Sequence, residues 1–232
     1  MFMLKERYAF EDLLEIMRLL RSENGCPWDI EQTHESIEQN LLEETYEVIE
    51  AIRLNEPALL REELGDLLLQ VVFHSQIEDE IGNFCFSDVA DEIVKKLIYR
   101  HPHVFGKCAG ARDNPPTSSE VLKNWERLKA ESKGEKNTAH ALRRIPKILP
   151  ALMRGQKIIK KAGVDESEQQ TLETLKAKLK ALEKATTDKN SDKTEKALGE
   201  FLLSCCSLAT QSKIDSEKAL TKAIEKFIAD RE

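Results

Sequence analysis

The sequence is poor in the residues that build sheets and turns. Its 232 residues include only 9 glycines and 7 prolines, and aromatic residues make up 6% of the chain. No long run of alternating β-branched residues is present, which excludes sheet-based architectures and leaves the Lys-, Glu-, Leu- and Ala-rich composition of an all-α protein. No apolar run approaches the ~20 residues that would span a bilayer, and the N-terminal stretch Met-Phe-Met-Leu-Lys-Glu-Arg has no apolar core of a secretion signal. An excess of basic charge is missing as well. The net charge of −7 argues against a nucleic-acid backbone as partner. The five cysteines, Cys26, Cys85, Cys108, Cys205 and Cys206, form no CxxC and no even framework, as expected of reduced thiols. These absences together predict a soluble cytoplasmic protein with neither a membrane nor a nucleic-acid partner.

What remains is helical periodicity. Apolar spacing predicts helices over residues 8–22, from about 33 to 54, 57–80, 87–100 and 119–132. Cys26-Pro-Trp-Asp29 reads as a turn, and residues 101–118, with His101-Pro-His103 and Pro115-Pro116, read as a long loop. His101 and His103 read as anchors of that loop. A polar linker over Lys133 to Thr138 precedes a second set of helices at 150–162, 167–185, 193–212 and 215–230. The polar segment Thr186 to Thr194 reads as mobile. The two halves repeat weakly. Glu63-Leu-Gly-Asp66-Leu-Leu-Leu aligns with Ala197-Leu-Gly-Glu200-Phe-Leu-Leu, and Val89 to Leu97 aligns with Ala219 to Phe227. The expected architecture is two tandem helical-bundle units, residues 1–135 and 136–232, the second a degenerate copy of the first.

The chemistry is concentrated between Leu41 and Ile77. Glu44/Glu47 and Glu63/Asp66 are acid pairs at i, i+3, so each pair shares a helix face. Those faces are not polar. Glu44 and Glu47 share theirs with Ile37, Leu41, Val48 and Ala51; Glu63 and Asp66 share theirs with Leu59, Leu67, Gln70, His74 and Ile77. One such pair alone is readily explained as part of a solvated face. Two pairs on consecutive helices, each within an apolar stripe, call for a cation to offset their repulsion. Hard carboxylate oxygens suit Mg²⁺, with Mn²⁺ as a substitute, and the absence of Glu-x-x-His argues against a di-iron bundle.

Two further pairs lie at i, i+4: Lys96/Arg100 and Trp125/Lys129. Beside a metal site the cations would suit a polyphosphate, and Trp125 would stack on a base. Taken alone, the cations read first as ordinary surface charge and Trp125 as core packing. Trp28 either anchors its turn or lines a pocket. Gln32 and His34 lie near the start of the acidic helix, where they could reach a ligand.

Gly25-Cys-Pro-Trp-Asp29, Gln32-Thr-His34, Leu41-Leu-Glu-Glu-Thr-Tyr-Glu-Val-Ile-Glu50, Arg61-Glu-Glu-Leu-Gly-Asp-Leu-Leu-Leu-Gln-Val-Val-Phe-His74, Arg100-His-Pro-His-Val-Phe-Gly106 and Asn124-Trp-Glu-Arg-Leu-Lys129 resemble the MazG family of nucleoside triphosphate pyrophosphohydrolases. The second half resembles the second domain of two-domain members, chiefly through Leu149-Pro-Ala-Leu-Met-Arg-Gly-Gln-Lys157. It departs from the family where the acids and the basic pair are lost. The resemblance implies an all-α bundle that pairs with a second bundle. It also implies Mg²⁺ bound through Glu43, Glu44, Glu47, Glu63 and Asp66, and hydrolysis of a nucleoside triphosphate to monophosphate and pyrophosphate, clearing non-standard or excess nucleotides. Lys96, Arg100 and Lys129 then hold the triphosphate, Trp125 or Trp28 meets the base, and Glu43 is the candidate to orient or deprotonate the attacking water. A homodimer is expected. The rival expectation is a nucleotide-sensing or scaffold bundle without turnover.

Overall fold

The computed structural model describes residues 2–106, 116–134, 137–163, 166–188 and 190–231. Among these, every regular element is a helix. The chain divides into two compact units, Met1–Trp125 and Glu126–Glu232.

The first unit holds α1 (Phe10–Leu20), α2 (Pro27–Glu31), α3 (Glu38–Leu54), α4 (Pro57–Glu80), α5 (Phe86–Arg100) and α6 (Pro102–Phe105), and α7 (Ser118–Ser132) crosses the division. The N-terminus of α1 is fixed by Asp12, whose carboxylate accepts the Ala9 N–H at 2.8 Å and pairs with the Lys5 ammonium. That backbone bond first, and the ammonium second, hold the Asp12 carboxyl below its usual value. α3 stops at Asn55, which takes the left-handed conformation (φ 58°, ψ 41°), and Pro57 opens α4 with a preset φ. So short a break leaves an antiparallel hairpin as the natural arrangement, and α3 and α4 pack along each other. The core beneath is Met17, Ile37, Val72 and Phe73, flanked by Phe10, Leu13, Leu14, Leu69, Ile77 and Phe86. It therefore draws on α1, the entry to α3, α4 and the start of α5.

Arg21, just past α1, ties this unit together. Its side chain is only 6% exposed and meets Glu80 in a two-pronged pair, Nε to Oε1 and Nη2 to Oε2, both at 2.8 Å. Nη1 donates to the carbonyls of Asp29 and Gln32, and the guanidinium lies 5.3 Å from the centroid of the Phe73 ring. Arg21→Met would orphan the Glu80 carboxylate and two carbonyls. It should lower stability by about 2–3 kcal/mol, read as a fall in the urea midpoint of the first unit.

The second unit holds α8 (Thr138–Arg143), α9 (Ala151–Ala162), α10 (Glu168–Thr187), α11 (Ser191–Gln211) and α12 (Ser216–Ala229). Four of these start on a side-chain cap: Asn137, Ser167, Asn190 and Asp215 each accept the backbone N–H three residues on. α10 and α11 form the hairpin, α9 packs on α11, and α12 follows it. This is the order in which α1, α3, α4 and α5 associate in the first unit. Gly155 of α9 is buried, and a Cβ there would stand 3.0 Å from Cys206 Sγ on α11, so these helices approach as closely as glycine permits. Cys206 is buried in this core, and burial pushes its thiol up.

Several local expectations are corrected. Cys26-Pro-Trp-Asp29 is not a turn, because Pro27 starts the five-residue α2. Residues 34–37 form a turn before α3. There Thr33 and Ser36 exchange bonds, Thr33 N–H to Ser36 Oγ at 2.9 Å and Ser36 N–H to Thr33 Oγ1 at 3.3 Å, and the helix waits until Glu38. His101-Pro-His103 begins α6, where the two imidazoles lie 5.7 Å apart; the rest of that expected loop, 107–115, lies outside the described residues. α8 was not anticipated. The segment Thr186 to Thr194 is largely helical, since α10 runs to Thr187 and α11 starts at Ser191. The division by contacts falls after Trp125, and the end of α7 engages the residues after it: Glu126 pairs with Lys160 at 3.7 Å, and Arg144 donates to the Lys133 carbonyl at 2.6 Å.

Candidate metal centre

The α3–α4 hairpin brings three of the predicted acids together. Glu44 from α3 and Glu63 and Asp66 from α4 are each half-buried, and each offers an oxygen within 4.8 Å of the other two. Among the described residues no ion pair reaches any of the three. Burial and the acidic neighbours act on the carboxyls of Glu44 and Glu63. Burial, then a hydrogen bond shared with Glu47, then the charges of Asp66, Glu47 and Glu63 raise the Glu44 carboxyl above its usual value. Burial and the charges of Glu47, Glu62, Asp66 and Glu50 raise Glu63. A Mg²⁺ ion with oxygens at about 2.1 Å spreads opposite ligands about 4.2 Å apart. The donor set is all oxygen, carries unbalanced negative charge and lies within 4.8 Å, so it fits a hard divalent ion.

The other predicted residues are distributed as follows. Glu47 is exposed and stands outside the three-oxygen group, but its charge acts on Glu44 and Glu63. Glu43 is exposed and stands outside the three-oxygen group, accepting a bond from Gln39 Nε2 at 3.2 Å. Lys96 pairs with Glu92 along α5 at 2.8 Å. The Arg100 guanidinium lies 5.5 Å from the centroid of the Trp125 ring, so two of the proposed substrate contacts do meet. Lys129 is one turn beyond Trp125 on α7. Trp28 projects from α2 and is 57% exposed, so it is no core anchor. Both ends of the Gln32 amide are engaged locally: Nε2 donates to the Trp28 carbonyl and Oε1 accepts from Ser36 Oγ, both at 2.7 Å. Its visible role is to fasten α2 to the turn before α3.

Two features were missed. Glu50, whose charge acts on Glu63, continues the i, i+3 series of Glu44 and Glu47, so the same spacing rule could have found it. His34 is not free for a ligand. Its Nδ1 lies 2.7 Å from Nδ1 of His74, and its Nε2 lies 2.7 Å from Glu78 Oε1. The Asn83 amide first, and His34 second, hold the Glu78 carboxyl below its usual value, so His34 Nε2 carries a proton toward it. One proton lies between His34 Nδ1 and His74 Nδ1. His74 Nε2 is buried without a hydrogen-bond partner. Gln70 Oε1, one turn back on α4, is likewise buried without a donor. A cleft of about 250 Å³ opens beside the histidines, lined also by Glu35, Glu38 and Leu41.

Burial, and next the neighbouring His34, lower the His74 pKa below the ordinary 6.5. As pH falls past 6.5, the unfolded chain takes up this proton before the folded one does. Stability should therefore be full above that value and decline as pH drops through the folded-state pKa. Thermal melts from pH 8 to 5 test this: His74→Asn should flatten the decline, and an unchanged slope would contradict the assignment.

A family model described as the MazG nucleotide pyrophosphohydrolase domain matches residues 32–105, the segment from Gln32 through both acidic helices and α5 to α6. Among similar proteins, the nucleoside triphosphate pyrophosphohydrolase/pyrophosphatase MazG of Thermotoga maritima is 42% identical over 223 residues, covering 94% of this chain and 82% of that protein. The nucleoside triphosphate pyrophosphohydrolase of Escherichia coli K12 is 43% identical over 224 residues, covering 93% and 82%. The Bacillus subtilis protein YabN is 44% identical over 155 residues, which is 66% of this chain but 30% of that protein. With its acid cluster inside the matched segment and its likeness to these relatives running through both units, this chain belongs to the MazG family.

Proposed function

We propose that the first unit hydrolyses nucleoside triphosphates to nucleoside monophosphate and pyrophosphate, with Mg²⁺, or Mn²⁺ in its place, held by Glu44, Glu63 and Asp66 and supported by Glu47. The observation that carries this reading is the carboxylate cluster, unbalanced in charge, on the two helices inside the matched segment. When bound, the ion would neutralise charge on the phosphate oxygens and position them. The chain supplies the rest. Glu43, on the same helix but outside the cluster, holds the attacking water and takes its proton. Lys96, Arg100 and Lys129 neutralise the triphosphate, and Trp125, already paired with Arg100, stacks on the base. Trp28 is an exposed second platform; Gln32 acts by fastening that platform in place. Water attacks the α-phosphorus, its oxygen stays on the monophosphate, and pyrophosphate leaves.

The second unit serves as a degenerate copy of the first, a reading supported by the shared order of helix pairing and the loss of acids at Ala197. Homodimerisation is supported by exposed apolar residues on α4 and α5, including Leu64, Leu68, Val71, Ile93, Val94 and Leu97; a side of a helix this apolar is ordinarily covered. No helix among the described residues is long and apolar enough to cross a membrane. The described cysteines are all free thiols, in keeping with a cytoplasmic setting.

Hydrolysis in ¹⁸O-water tests the reaction. The label should enter the monophosphate alone, with equal amounts of pyrophosphate released. Label in orthophosphate, with a nucleoside diphosphate as co-product, would overturn the assignment; nucleotide binding without product would favour a sensing bundle.

A further inference from the structure

The second unit repeats the hairpin of the first with its charge reversed at one place. The internal alignment sets Glu200 of α11 against Asp66 of α4 and Ala197 against Glu63. Across the first hairpin, Asp66 faces the carboxylate of Glu44. Across the second, Glu200 Oε2 faces an ammonium: Lys178 Nζ, from α10, donates to it at 2.9 Å. Glu200 is held below its usual value, first by the hydrogen bond from Lys178 and then by that residue's charge. Three carboxylates without a countercharge in the first hairpin correspond to one carboxylate and one ammonium in the second. The pair borders a cleft of about 250 Å³ between α9, α10 and α11, whose other polar walls include the hydroxyls of Thr171, Ser204 and Ser207.

We propose that Lys178 is a tethered countercharge standing where the first unit takes a divalent ion, so that divalent-ion binding by this protein is confined to the first unit. The ammonium is a compact cation with three donors, and one carboxylate is enough to balance it. A divalent ion needs several anionic oxygens, and at the equivalent place the second hairpin, with Ala197 where the first has Glu63 and Lys178 across from Glu200, offers the Glu200 carboxylate alone. The proposal rests on reading Glu44, Glu63 and Asp66 as the ion site of the first unit.

Mn²⁺ binding to the full chain, followed by the electron paramagnetic resonance of the free ion, tests it. The wild-type protein should bind Mn²⁺, and Glu44→Gln with Asp66→Asn should bind none although the second unit is untouched. Adding Lys178→Glu and Ala197→Glu to that double variant should restore a site. Binding that survives in the double variant and is lost on Glu200→Gln would overturn the proposal. So would failure of the folded four-residue variant to bind Mn²⁺. A wild-type protein without any Mn²⁺ site would instead refute the first-unit reading on which the proposal depends. Should the four-residue variant lose its helical circular dichroism, Lys178→Gln is the deciding variant: carboxyl NMR should show the Glu200 pKa rising toward its ordinary value, and no movement would refute the countercharge role.

Discussion

Glu44→Gln should abolish pyrophosphate release while leaving the folded protein no less stable. The side chain keeps its shape and loses its charge. An ion in phosphoryl transfer is worth several kcal/mol of charge stabilisation, so losing a principal ligand should lower kcat/KM about a thousandfold or more. Stability should move the other way, if at all. The Glu44 carboxyl is raised by burial, by its bond to Glu47 and by the charges of Asp66, Glu47 and Glu63, which means its ionised form is disfavoured in the folded state without a cation. Removing that charge relieves repulsion. A residue that merely packed between α3 and α4 would lose activity and thermal stability together. Steady-state kinetics and melts without metal on the same preparation separate the two outcomes; full activity in Glu44→Gln would sink the metal assignment.

Removal of divalent ions with EDTA should reduce activity to background, and Mg²⁺ or Mn²⁺ should restore it. The same ions should raise Tm by mass action, since they bind the folded hairpin and not the unfolded chain. The rise should depend on pH in a defined sense. Glu44 and Glu63 are raised above the ordinary 4.5, so the folded chain holds these protons more tightly than the unfolded chain. In the absence of metal their contribution to stability is fully present below 4.5 and is lost as pH rises through the folded-state values. The ion offsets that loss. Its stabilising effect should therefore be large at neutral pH and shrink as the carboxyls protonate, at a pH above that of an ordinary carboxylate site. This loss from the acid cluster with rising pH opposes the gain expected from His74, so the two are best separated by comparing melts with and without metal. A Tm insensitive to Mg²⁺ across the range would contradict the site.

The acid cluster was legible in the sequence because it obeys a local rule. Glu44, Glu63 and Asp66 lie at helical spacing on apolar faces, and the Asn55 to Pro57 break fixes their helices as a hairpin, so tertiary proximity follows from local geometry. Glu43 illustrates the limit of that rule. It adjoins Glu44 in sequence, but about 100° of helical rotation carries it out of the three-oxygen group. The short helices α2, α6 and α8 carry too few residues for periodicity to register. The links made by Arg21 to Glu80 and by His34 to His74 and Glu78 span 59, 40 and 44 residues, and no local pattern announces such pairs. Lys178 was invisible for another reason. It is one lysine of several in a basic stretch, and only its placement opposite Glu200 distinguishes it from a solvated face.

The central claim is that Glu44, Glu63 and Asp66 hold the divalent ion with which this chain splits nucleoside triphosphates. The most direct measurement titrates Mg²⁺ into the wild-type protein and into Asp66→Asn, following pyrophosphate release from standard and modified nucleoside triphosphates. The account predicts saturable, Mg²⁺-dependent release of pyrophosphate by the wild type and almost none by Asp66→Asn at any Mg²⁺ concentration in the titration. Release that proceeds without a divalent ion, or that survives intact in Asp66→Asn, would contradict it.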